Sequence, residues 1–332
     1  MPIPLQQART LITNLQIPQI ENLFAQAHAK HVLLELGEEP GNFPAFAPKL
    51  EDKVTVAAYA LLAAGCSIIE QGDRAGGATV VERAASLLLY AHGPTVQTLR
   101  ESGFHVLVAS MAFYAAGHYS RAFVTIRGVE EQTVAARIVG AFIRKEIQLL
   151  IANVNQVLLP ETPTFDDQVD LDEWAIATAI ARAAAMALDF AFAGDSDALN
   201  EAKGQLADAA IVASNGSHPA WWWVVRLFRL MLGDLGEASP WHVLPPFFGA
   251  PPPGELGKYI SICAFGRHPI MELWSSQRAA LPLALDATNS GGVINLRTSA
   301  GKTRVAELAI LQALNGDPTR RILYLAPFRS LA

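Results

Sequence analysis

Three consecutive residues, Gly301-Lys302-Thr303, carry the groups needed to hold a nucleoside triphosphate. They follow the β-branched run Val293-Ile294-Asn295-Leu296 and open a stretch rich in Ala, Leu and Val. They therefore fall where a strand passes through a loop into a helix. Backbone N–H groups at such a loop and helix start can surround phosphates. Gly301 permits close backbone approach, and the Lys302 ammonium reaches the β- and γ-phosphates. The Thr303 hydroxyl is placed to coordinate Mg²⁺. The strict form of this loop has a glycine five residues before Gly301, where the present sequence has Leu296.

Neighbouring residues extend the pattern. Thr298-Ser299-Ala300-Gly301-Lys302-Thr303 resembles motif I of superfamily 2 helicases of the DEAD/DEAH type, a family that does not require the first glycine. Leu325-Ala326-Pro327-Phe328-Arg329-Ser330 resembles motif Ia. Glu272-Leu273-Trp274-Ser275-Ser276-Gln277 resembles the Q-motif region. Gln277 lies 25 residues before Lys302 and Pro327 lies 25 after it, so the three elements occur in family order.

The resemblance implies ATP and Mg²⁺ as ligands, with Gln277 reading the adenine edge. Thr298, Ser299, Ala300, Gly301, Lys302 and Thr303 would hold the phosphates, and Thr303 the metal. Lys302 and Thr303 would serve hydrolysis, while Pro327, Arg329 and Ser330 would border a DNA or RNA strand. The implied activity is ATP-dependent translocation or unwinding. One departure is Arg297, where the family usually has proline. The acidic motif II, motifs III to VI and a second RecA-like lobe find no counterpart in these 332 residues. The chain therefore reads as a fragment whose ATPase activity belongs to a longer protein. Asp172-Glu173-Trp174-Ala175 looks like an acidic box but precedes the phosphate loop, and reads as a helix N-terminus. Two other readings stay open: a helical interaction scaffold with a vestigial phosphate loop, and a phosphate-loop ATPase that moves no nucleic acid.

The elements around the loop supply its frame. Beyond the proline stretches, the pattern predicts a helix over 269–285, a strand over 292–296, a helix over 303–314 and a strand over 321–325. That is the β-α-β grammar of an incomplete α/β RecA-like lobe. Upstream, from about Leu11 to Leu235, apolar residues recur at threes and fours, which predicts an α-helical N-terminal domain. The longest helix is expected over 130–159. Small-residue turns at 70–73, 114–122 and 192–199 resemble those of tetratricopeptide arrays, but they share no fixed period. Pro240, Pro245, Pro246 and Pro251 to Pro253 favour extended chain. The expected organisation is a helical domain over 1–238, a proline-rich linker over 239–257 and the start of the ATPase lobe over 258–332.

Composition limits the remaining classes. The chain is 51% hydrophobic and 17% charged, which argues for a large buried core. Its net charge is −6. From Glu255 to Ala332, nine Lys/Arg against five acids give +4 and leave −10 for the remainder, a basic segment on an acidic body. Cys66 and Cys263 form neither a disulfide framework nor a metal set. The N-terminus lacks a signal-peptide pattern, and the apolar run from Val54 to Ile69 is too short to span a bilayer comfortably. These features predict a cytoplasmic protein without a membrane partner, whose helical domain offers a surface for a protein partner.

Other residues carry weaker signals. Trp221-Trp222-Trp223 suits either packing between helices or stacking on bases. Tyr259 and Phe265 suit either the core or an adenine ring. Arg144-Lys145 reads as a solvated helix face, and His31 and His118 as surface or turn residues.

Overall fold

The computed structural model describes residues 3–93, 99–127, 129, 131, 133–159, 168–216, 218–249, 254–286, 288, 291–296 and 301–325. The chain divides into two compact units, residues 1–190 with 194–236, and residues 191–193 with 237–332. The helices are α1 (Leu5–Leu15), α2 (Pro18–Glu35), α3 (Leu50–Glu70), α4 (Arg74–His92), α5 (Leu99–Ala115), α6 (Tyr119–Ile126), α7 (Val134–Arg144) and α8 (Ile147–Leu158). They continue with α9 (Gln168–Ala193), α10 (Ser196–Asn215), α11 (Pro219–Ala238), α12 (Pro240–Val243), α13 (Pro245–Phe248), α14 (Glu255–Phe265), α15 (Ser275–Ala284) and α16 (Lys302–Gly316).

In the first unit the small-residue turns join α3 to α4, α5 to α6 and α9 to α10, as their sequences predict. Asp73 caps α4 by accepting from the Gly76 N–H, and Asp195 caps α10 by accepting from Asp197 and Ala198. The α3–α4 contact is close because glycines face it. A Cβ on Gly77 would stand 2.7 Å from the Gly65 carbonyl oxygen, so alanine at 77 would push the helices apart. The core is aromatic at its centre, where Phe142 meets Tyr114 at 5.8 Å and Phe228 edge-on at 5.4 Å. Two buried ionic knots cross it. Glu70 is shared by Arg226 and Arg229, and Asp234 holds both Arg74 and the Tyr119 hydroxyl.

The helix expected over 130–159 is two helices. Lys145, between α7 and α8, adopts a left-handed conformation at φ 59° and ends α7. Its ammonium donates to the Tyr114 hydroxyl at 2.9 Å and lies 4.8 Å from the Phe142 ring, which holds the break in place. Arg144 is not on a solvated face either. Its guanidinium forks onto Glu131 and binds Glu146, and its side chain is only 14% exposed. The longest helix among the described residues is instead α9, with 26. His31 is buried beside Tyr90 rather than on the surface, and burial lowers its pKa. Two helical segments, Leu50–Glu70 and Leu171–Ala193, are long and apolar enough to cross a membrane, and over half of each is buried within the protein.

The second unit departs further from expectation. Over 239–249 the proline stretch is not simply extended, because Pro240 and Pro245 each occupy a first-turn position, where the missing N–H costs nothing, and so start α12 and α13, while Pro251 to Pro253 lie outside the described residues. Leu244, Phe248 and Leu256, within the stretch expected to link domains, pack in one core with Ile260, Leu281 and Leu308. The helix expected over 269–285 begins only at Ser275. The two expected strands do not form among the described residues: 292–296 and 321–325 lack a ladder partner. A lone β-branched run cannot satisfy its backbone as a strand without a neighbour. Val293, Leu323 and Leu325 are consequently at least 80% exposed.

Candidate nucleotide-binding site

The site is built where α15 and α16 begin. Gln277 is the third residue of α15, and its side-chain oxygen accepts the Trp274 N–H at 2.8 Å. This fixes the amide plane, because the oxygen is committed to the helix start. The nitrogen then donates to the Gly301 carbonyl at 3.4 Å. Gln277 is buried, at 6% exposure, so its polar ends are satisfied by backbone rather than water.

Gly301 stands at the cap position of α16 with φ 78° and ψ 31°. Two demands select glycine there. The left-handed backbone disfavours other residues, and a Cβ would lie 2.1 Å from the Gln277 nitrogen. Its carbonyl also receives the Arg304 N–H at 3.1 Å and the Val305 N–H at 3.4 Å. The N–H groups of Lys302 and Thr303 thus open the helix at its positive end, and both side chains are exposed. Lys302 lines a cleft of about 340 Å³ with Leu283, Asp286, Gly292, Ile294 and Val305. Asp286 is exposed there, and hydrogen bonds from the Thr288 hydroxyl and N–H hold its carboxyl below the usual range.

The structure therefore brings Gln277, Gly301, Lys302 and Thr303 together, although Gln277 does not line the Lys302 cleft. Thr298, Ser299, Ala300, Pro327, Arg329 and Ser330 lie outside the described residues, as does Arg297. Thr303 would bring one hydroxyl to Mg²⁺. Among the described residues no group of three or more His, Cys, Asp or Glu could hold a metal ion alone. The donor set fits an ion that arrives with phosphate.

A second layer, missed in the sequence, supports α16 from behind. The Tyr259 hydroxyl donates to Glu307 at 2.8 Å and accepts from Arg304 at 3.0 Å, while Arg304 pairs with Glu307 at 2.7 Å. Burial, together with the Glu307 acceptor, raises the phenol pKa. Burial likewise raises that of the adjacent Cys263 thiol, one turn along α14. The space enclosed between these residues and Leu244, Ile260 and Leu308 is only about 10 Å³, and the Tyr259 hydroxyl is committed to α16. The signal was present as facing pairs, Tyr259 with Cys263 at i,i+4 and Arg304 with Glu307 at i,i+3.

Residues 274–332 match the family model described as DEAD/DEAH box helicase. That stretch is similar to part of a superfamily 2 helicase domain. The matched segment contains α15 with Gln277, Gly301-Lys302-Thr303 and α16. A similarity runs over nearly the whole chain to "Hachiman protein HamB" of Bacillus cereus, 27% identical over 316 residues. That alignment covers 95% of this chain and 28% of the relative, so the chain spans under a third of the relative's length.

Proposed function

We propose that this chain supplies the nucleotide-binding part of an ATP-dependent helicase or translocase acting on DNA or RNA. The observation that carries the reading is the pinned Gln277 side chain, which joins the Q-motif region to the glycine of the phosphate loop. In this reading Gln277 sets the adenine end of the site and holds the Gly301 backbone in place. Lys302 and the first N–H groups of α16 offset phosphate charge, and Thr298, Ser299 and Ala300 complete the cradle. The Thr303 hydroxyl would help hold Mg²⁺, which would supply charge neutralisation at the phosphates. Pro327, Arg329 and Ser330 border the strand, contacting phosphates without reading sequence. The domain division of this reading is a helical body over 1–238 and an ATPase lobe from 258.

The test is ATP hydrolysis by the whole protein with and without single-stranded DNA or RNA. The expected result is hydrolysis stimulated by nucleic acid and reduced on the order of a hundredfold or more by Lys302→Ala. Hydrolysis indifferent to both nucleic acids would replace this reading with a phosphate-loop ATPase that moves no strand. No hydrolysis and no nucleotide binding would replace it with an interaction scaffold.

A further inference from the structure

The helical unit contains a cleft of about 460 Å³ that the helicase reading does not use. Two helix stripes wall it. Trp222, Arg226 and Arg229 follow one another at i, i+4 and i+7 on α11, and Ala207, Ile211 and Ser214 do the same on α10. The alanine and serine leave space opposite the tryptophan. At its base is Glu70, the last residue of α3.

The charges at the base do not balance. Arg226 donates to Glu70 through Nε at 3.1 Å and Nη2 at 2.8 Å, and Nη2 also reaches the Ser67 hydroxyl at 3.0 Å. Arg229 donates to the same carboxylate at 2.7 Å. The Arg226 and Glu70 side chains are each 7% exposed, so this pair would be complete without a second cation. Arg229 nevertheless adds one, is 33% exposed, and gives Glu70 one of its five N–H groups. The cluster is net positive in the acidic part of the chain. The Arg226 guanidinium carbon lies 4.9 Å from the Trp222 ring centroid, and the half-buried ring also lines the open space.

We propose that this cleft binds a nucleotide unit, its phosphate on Arg229 and its base against Trp222 and Ile211. A guanidinium fork matches phosphate oxygens in geometry and charge. An indole face accepts any base, because every base presents a π-surface. The cleft volume falls within the range of small-ligand sites. The same chemistry has two sources, a free mononucleotide or one residue of a single strand. Every lining residue belongs to the helical unit, so the proposal stands independently of the phosphate loop.

The test uses the whole protein carrying Lys302→Ala, which removes the contribution of the phosphate loop. Titration with AMP and with a single-stranded deoxythymidine oligonucleotide, followed by calorimetry, should give binding of at least one probe. Adding Arg229→Ala should weaken that binding tenfold or more, and Arg229→Lys should restore part of it. Trp222→Ala should also weaken it, and Trp222→Phe, which keeps a stacking face, should weaken it less. AMP binding that Arg229→Ala weakens assigns the cleft to free nucleotide, and oligonucleotide binding alone that Arg229→Ala weakens assigns it to a strand. Either supports the proposal. Failure of both probes to bind, or full affinity in a folded Arg229→Ala protein, overturns it while leaving the ATPase test above unaffected.

Discussion

The Gln277 amide joins two helix starts, taking the Trp274 N–H just ahead of α15 and giving its own N–H to the Gly301 carbonyl ahead of α16. The two residues are 24 apart in sequence, and the glycine has no Cβ where the glutamine nitrogen sits. Glutamine here is thus a spacer as well as a hydrogen-bonding group.

This relationship predicts an asymmetry between two variants. Gly301→Ala introduces both a clash with Gln277 and a left-handed alanine, and should reduce ATP affinity of the whole protein about tenfold or more, a loss of roughly 1.4 kcal/mol. Adding Gln277→Ala should relieve the clash but not the backbone strain, giving partial recovery of loop order and none of adenine selectivity. The measurement is ATP and GTP affinity of the three proteins. Unchanged ATP affinity in Gly301→Ala would show that the loop tolerates a side chain there.

Tyr259→Phe removes the hydroxyl that Arg304 and Glu307 share while leaving their mutual pair intact. The expected loss is about 1 kcal/mol of unfolding free energy, since the remaining pair keeps its charges matched. Urea titration followed by circular dichroism gives the value. A loss above about 3 kcal/mol would mean that Arg304 and Glu307 depend on the phenol for their placement.

Asp234→Ala should be far more damaging. The carboxylate is 2% exposed and receives both Arg74 and the Tyr119 hydroxyl, so its removal takes the anion from a guanidinium and a buried hydroxyl in the helical unit. The expected cost is ~3–5 kcal/mol. Thermal unfolding would read it as a drop in midpoint, and a change within error would show that Arg74 simply turns out to water.

Acid should weaken the helical unit before its carboxylates titrate. Burial, then the neighbouring His105, lowers the pKa of His92 from 6.5 to about 4. Burial also lowers that of His105, whose ring stacks on His92 at 4.1 Å. Thr55 binds the His92 ring at 2.6 Å, while Glu51 and Asp52 pull its pKa the other way. Between those pH values the unfolded histidine is protonated and the folded one neutral, so unfolding takes up protons. Stability should fall as pH drops from about 6.5 to about 4. Urea midpoints at half-unit pH steps check this. His92→Gln should flatten the slope, and an unflattened slope would assign the proton uptake elsewhere.

What the sequence disclosed follows the range of the forces involved. The helix start after Gly301 and the turns at 70–73, 114–122 and 192–199 are local signals, legible because the residues that cause them are adjacent. The break at Lys145 was hidden because its cause is distant: Tyr114 holds the ammonium from 31 residues away. The proline stretch misled because proline is a breaker inside a helix but a good starter at its first turn. The runs at 292–296 and 321–325 have strand-like composition, but a strand is a relationship between segments, and neither has a ladder partner among the described residues. The Gln277–Gly301 contact was foreshadowed by motif order alone, since 24 residues separate the partners.

The two ionic knots of the helical unit also order events in time. Arg74 meets Asp234 across 160 residues, and Glu70 meets Arg226 across 156. A ribosome has released α3 and α4 long before it releases α11. Until then Glu70 and Arg74 remain hydrated, and the early helices form a hairpin without its lock. Closing such loops carries an entropy cost that only late contacts repay. The helical unit should therefore complete its core late, when the tryptophan-bearing helix emerges and docks. A nascent chain arrested before residue 226 should remain protease-sensitive, whereas one arrested after α11 has cleared the exit tunnel should not.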